Sequence, residues 1–139
     1  MDIVHLVQSA VAPVFLLSGV AATLAVLTNR LARAVDRARA LEERLEKHIG
    51  NAKHLHEELV VLARRARYIN AAISLCAVSA LLVTLVVVTL FASAFFGAGL
   101  AATIALLFVG SMLFLTGAFV AFFIEVRLAT AHLRIGPPK

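Results

Sequence analysis

The chain has 139 residues, of which 62% are hydrophobic and only 15% charged, with a net charge of +5 and a mean hydropathy of +0.97. Soluble domains run nearer half apolar and a quarter charged. Here the apolar residues form runs too long for a core surrounded by water, so lipid must solvate most of the chain. The single cysteine, Cys76, lies inside an apolar run. That excludes an intrachain disulfide and a cysteine-based metal site, and leaves the thiol as a small apolar side chain.

The first apolar run spans residues 3–28. It has no basic residues before it and exceeds the roughly 7–15 residues of a signal-peptide core, so it reads as a retained first span. Pro13 lies within it and removes a backbone donor, the condition for a kink. Residues 29–68 follow as a charged segment with helical periodicity. Leu31, Val35, Ala38, Leu41, Leu45 and Ile49 recur at three- and four-residue steps. After Gly50-Asn51, a strong breaker pair, the pattern restarts as Ala52, Leu55, Leu59, Leu62, Ala66 and Ile69. This spacing predicts an antiparallel helical hairpin turning at 50–51 that extends the first and second spans. A two-helix hairpin has little core, so copies are expected to pack on one another. The second span covers 69–91, a short connection 92–99, the third span 100–124, and a tail 125–139. Its last residues, Gly136-Pro137-Pro138-Lys139, are expected to be disordered. The fold class is therefore an all-α membrane protein with three transmembrane helices.

Lysine and arginine set the orientation. Ten lie between Asn29 and Tyr68, and Arg127, Arg134 and Lys139 follow the third span. None precedes the first span or separates the second from the third. The positive-inside rule then makes the hairpin and the C-terminus cytoplasmic and the N-terminus external.

The hairpin's charge is polarised. Its membrane-proximal part carries Arg30, Arg33, Arg37, Arg39, Arg64, Arg65 and Arg67 with one acid, Asp36; its tip carries Glu42, Glu43, Glu46, Glu57 and Glu58 against Arg44, Lys47 and Lys53. One reading of this collar is topology fixing and snorkelling. The other is binding of lipid phosphate or another anion, for which the guanidinium fork is suited. A turn at 50–51 makes residues whose numbers add to roughly 100 face each other. Asp36 then lies near Arg64, and the pair is expected to clamp the arms. His48, His54 and His56 cluster near the tip, but their spacing does not converge on one face, so no metal site is expected.

No Asp, Glu, Lys or Arg lies well within a span, which disfavours proton-coupled transport. Thr103, Gly110 and Gly117, and likewise Ala12 and Gly19, form small-residue faces that suit close helix packing. Asn70, Ser74, Ala77 and Thr84 share one face of the second span and offer a weakly polar pore lining. Glu125, at the end of the third span, is either the partner of a nearby arginine or part of a carboxylate ring at a pore mouth. No nucleophile, base and oxyanion set and no cofactor motif can be assembled, so no catalytic residues and no cofactor are expected. The arginine run abuts the bilayer, which argues against nucleic acid.

The pattern of Ala12-Pro13 in an apolar span, then Asn29-Arg30 and Asp36-Arg37-Ala38-Arg39, then two further spans, resembles an uncharacterised family of small bacterial inner-membrane proteins known only as a domain of unknown function. The resemblance covers nearly the whole chain. It implies a bacterial inner membrane and brings no activity or ligand. The expectation is a non-enzymatic, homo-oligomeric scaffold or partner-binding protein in contact with membrane lipids, the alternative being a small homo-oligomeric channel lined by the second or first span.

Overall fold

The computed structural model describes residues 3–97 and 99–135, with side chains up to residue 131. The tail residues expected to be disordered, 136–139, lie outside that set. Three α-helices make up the described chain, and no strand occurs in it: α1 (Ile3–Glu46), α2 (Ala52–Phe96) and α3 (Ala101–Ile135). Each is long and apolar enough to cross a membrane, and the protein is an all-α membrane protein.

The helices run on past the apolar segments because nothing stops them. No glycine or proline lies between Gly19 and Gly50, between Asn51 and Gly97, or between Gly117 and Gly136. The intervening residues are largely Ala, Leu, Arg and Glu, all good helix formers. α1 continues through Pro13. α3 continues through Glu125 to Ile135, where the sequence suggested a tail from residue 125. α2 likewise reaches Phe96, shortening the expected 92–99 connection.

The turn between α1 and α2 also departs from expectation. α1 ends at Glu46, and His48, not Gly50, takes the first left-handed conformation (φ 57°). The N–H of His48 donates to the carbonyl of Leu45 and that of Ile49 to the carbonyl of Arg44. These paired bonds form a Schellman cap. Gly50 then adopts φ 84°, and the Asn51 side chain accepts bonds from the N–H groups of Lys53 and His54, capping α2. Two left-handed residues are needed to reverse the chain, and only one is a glycine.

Contacts divide the protein into two compact units. The first takes in α1 up to Ala25, α2 from Ser74, and α3 to Ala118. Cys76, Ser79 and Val83 of α2 and Ser111, Leu115 and Ala118 of α3 are buried there. Ser79 donates to the Ser111 carbonyl at 2.9 Å. A side chain at Gly117 would meet Leu75 at 3.3 Å, and one at Gly110 would meet Leu82 at 3.5 Å. The glycine stripe of α3 thus receives a leucine ridge of α2, the close approach that small residues permit in lipid. Among the described residues nothing lies within 4 Å of a Cβ at Gly19, so that glycine receives no such ridge.

The second unit takes in Val26–Ile73 and the chain from Phe119. Ala34 and Leu41 of α1 pack with Leu55 and Leu62 of α2, joined by Ala38, Leu45 and Leu59. The seam on α2 is the one the spacing indicated. On α1 it is rotated: Ala34 is buried, whereas Val35 and Ile49 are exposed.

Three outcomes follow. Gly117→Leu should lower the thermal stability of the purified protein in detergent by about 1–3 kcal/mol through overpacking against Leu75. Gly19→Ala, facing open space, should raise it by up to about 1 kcal/mol through helix propensity. Equal effects would contradict the α2–α3 packing. His48→Gly should stabilise the turn by about 1 kcal/mol, read as a higher melting temperature, by removing the left-handed penalty.

Candidate functional site

The arginine-rich run of α1 and that of α2 both fall in the second unit, and α3 supplies what joins them. Glu125 is fully buried. The Arg30 guanidinium donates to both of its oxygens, Nε to Oε1 at 2.7 Å and a terminal nitrogen to Oε2 at 3.0 Å. Arg65 donates from Nε to Oε2 at 3.0 Å. The Arg30 guanidinium also lies over the Phe122 ring, 5.6 Å from its centre, about one helical turn before the carboxylate on α3. One carboxylate therefore ties one side chain from each of the other two helices. A charge removed this far from water is tolerated only because both oxygens are occupied by ionised donors. Among the described residues no buried side-chain nitrogen or oxygen is left without a partner.

Of the two readings of Glu125, the arginine partner is present: the carboxylate is enclosed and paired with two arginines of its own chain. The second arginine, Arg65, was not foreseen, because sequence spacing shows only that an acid stands at the end of an apolar run.

The cross-arm clamp is a different pair from the expected one. Asp36 is exposed and forms no ion pair among the described residues. Arg37 instead donates two bonds, at 3.0 and 2.9 Å, to the Glu58 carboxylate. The cause is register. A turn at 50–51 would set Arg37 against Ala63, but α1 stops at Glu46 and the arms align about one helical turn differently. Arg64 passes out of reach of Asp36, and Glu58, assigned by sequence to the acidic tip, comes level with the collar.

The collar therefore separates into two sets. Arg30, Arg37 and Arg65 are engaged with carboxylates. Arg33, Arg39, Arg64 and Arg67 are exposed and outside every ion pair among the described residues. Of these, Arg64 and Arg67 line a cleft of about 320 Å³ with Tyr68 and Ala71. Asn70, Ser74 and Thr84 lie exposed on α2, and the Thr84 hydroxyl donates to the Ala80 carbonyl at 2.9 Å. His48, His54 and His56 are exposed, and no three His, Cys, Asp or Glu side chains among the described residues come together as a metal site.

Glu125→Ala should cost about 3 kcal/mol of stability. The low end of the range for breaking a buried pair applies, because Arg30 and Arg65 each keep partial contact with the surroundings (30% and 20% exposed). Asp36→Asn should change stability by less than about 0.5 kcal/mol. A double-mutant cycle of Arg37→Gln and Glu58→Gln should return a coupling of about 0.2–1 kcal/mol, as for other exposed pairs. Thermal unfolding of the purified variants in detergent measures all three, and a Glu125→Ala protein as stable as wild type would refute the junction.

No curated protein and no solved structure matches the chain. A family model does match, over residues 10–135. With nearly all of its three helices inside that match, the chain belongs to the family described as Protein of unknown function (DUF2721).

Proposed function

We propose that the protein is a non-enzymatic scaffold of the bacterial inner membrane that assembles with copies of itself through its helical hairpin and touches lipid phosphates at its exposed arginines. The observation that carries this reading is an apolar groove of about 310 Å³ between the two arms, lined chiefly by Val35, Ala38, Leu59, Val60 and Ala63. Val60 is 50% exposed and Val35 37%. These residues lie on the charged part of the chain, interspersed with Asp36, Glu42, Glu57 and Arg64, where water rather than lipid is the expected solvent. A two-helix arm with a seam of only four buried residues leaves this groove uncovered, and apolar surface held in water favours a helix that covers it. The arm of a second copy offers the same apolar spacing, so hairpin-on-hairpin assembly fits the groove. The orientation proposed is the one the basic residues favour, with hairpin and C-terminus cytoplasmic.

A second reading, a narrow homo-oligomeric channel, draws on the exposure of Asn70, Ser74 and Thr84 along α2. Leu81, 59% exposed, interrupts the same row, and Thr84 already spends its proton on the backbone. The face therefore suits packing against lipid or another helix better than it suits a wet pore. Ion flux through reconstituted protein that falls on Asn70→Ala would favour the channel instead.

Val60→Asp places a carboxylate in the groove and should convert the oligomer in detergent to monomer, read by light scattering on a sizing column, while leaving helix content unchanged. A wild-type monomer, or an unaltered oligomer in the variant, would refute the assembly. Orientation is checked with Phe96→Cys and Lys53→Cys in a Cys76→Ala background. Phe96 is 83% exposed, and an impermeant thiol reagent applied outside should label it and spare residue 53. Equal labelling would overturn the three-span topology.

A further inference from the structure

The four collar arginines outside ion pairs among the described residues are not equivalent. Arg33 and Arg39 stand singly on α1. Arg64 and Arg67 share a cleft of about 320 Å³ with Tyr68 and Ala71. Three- and four-residue steps place all four on one face of α2. We infer that this cleft is a binding site for the phosphate of an anionic glycerophospholipid, an inference that rests on the lipid-contact reading above and assigns it to one place on the collar.

Three features point to that ligand. First, the two guanidiniums carry no carboxylate partner among the described residues, whereas Arg30, Arg37 and Arg65 are all taken by Glu125 or Glu58. Two planar forks on adjacent turns match the oxygens of a phosphate ester. Second, Tyr68 adds a neutral hydroxyl donor beside them, the kind of side chain that sits at the lipid headgroup level. Third, Ala71, which lines the cleft, belongs to the apolar run that begins at Ile69. A phosphate held at the arginines would leave its acyl chains beside that run, where a soluble anion gains nothing. A headgroup without an ammonium, such as phosphoglycerol, suits two unpaired cations better than phosphoethanolamine, whose amine would face them.

Tyr68 makes the site directly observable. The chain has one tyrosine and no tryptophan, so all intrinsic fluorescence of this kind originates in the cleft. The protein in dodecyl maltoside micelles is titrated with phosphatidylglycerol, with phosphatidylethanolamine and with sodium phosphate, following tyrosine emission. Phosphatidylglycerol should give a saturable change. Arg64→Gln/Arg67→Gln should weaken it by about tenfold or more, as expected for losing charge-assisted hydrogen bonds, while Arg33→Gln/Arg39→Gln, which removes the same charge elsewhere, should leave it within about twofold. Arg64→Lys/Arg67→Lys keeps the charge and should still weaken it severalfold. Circular dichroism confirms folding of each variant, and the lysine pair decides the matter should the glutamine pair not fold.

Equal losses in both glutamine pairs, or wild-type affinity in the lysine pair, would overturn the site and leave only diffuse attraction of lipid by the collar. The same change with sodium phosphate would assign the cleft to a soluble anion and overturn the lipid. No response to phosphatidylglycerol, together with no anionic lipid retained by wild type in native mass spectrometry, would remove the lipid-contact reading and the site with it. Retention without a response would remove the site alone.

Discussion

A single buried carboxylate organises the charged half of this protein. Glu125 accepts from Arg30 on α1 and Arg65 on α2, so the three helices of that unit are held at one point by charge-assisted bonds. Such an arrangement is costly to assemble, since an ion must leave water, and costlier still to half-assemble. That asymmetry gives specificity: a helix shifted by one residue would leave a buried ion without its partner. Aliphatic packing alone is more tolerant, because leucine and alanine seams accept neighbouring registers at modest cost. Arg30 is held twice over, by the carboxylate and by the Phe122 ring beneath it.

The junction also decides which arginines are available for anything else. Of the seven collar arginines, two are committed to Glu125 and a third to Glu58, which leaves Arg33, Arg39, Arg64 and Arg67 on the surface. A basic run that looks uniform in sequence is thus a structural set and a surface set interleaved along the same helices. Interleaving follows from helix geometry: Arg64 and Arg65 are adjacent in the chain but about 100° apart around the axis, so one turns inward and the other out.

In the other unit the same problem, joining helices without a water-driven hydrophobic effect, has a different solution. There Gly110 and Gly117 of α3 receive Leu82 and Leu75 of α2, and a buried serine donates across to the Ser111 backbone. Close van der Waals approach and one interhelical hydrogen bond replace the ion pairs. The change of chemistry tracks the sequence: small and β-branched residues where no ionisable group occurs, arginine and glutamate where the apolar runs end.

The one-dimensional pattern by itself determined a good deal. Apolar runs longer than any soluble core required three membrane-crossing helices, since lipid leaves backbone groups no partner but their own helix. The absence of glycine and proline at the run boundaries allowed each helix to continue beyond the lipid. Of the α2 stripe that the spacing marked, Leu55, Leu62 and Ile69 are buried and Leu59 and Ala66 half-buried, while Ala52 at its start is exposed. Partner choice lay beyond that reach. The Schellman cap closes at His48, a residue with no strong turn signal, because the hydrogen bonds of the last helical turn decide where α1 stops; moving that stop by a few residues shifted the register and gave the cross-arm ion pair to Arg37 and Glu58 in place of Asp36 and Arg64. Glu125 stands 95 and 60 residues away from its two arginines, and no local periodicity connects positions so far apart. Local rules fix which face of a helix is apolar; only the packed helices fix which charge meets which, since ionic pairing depends on distances that exist only once the chain has folded.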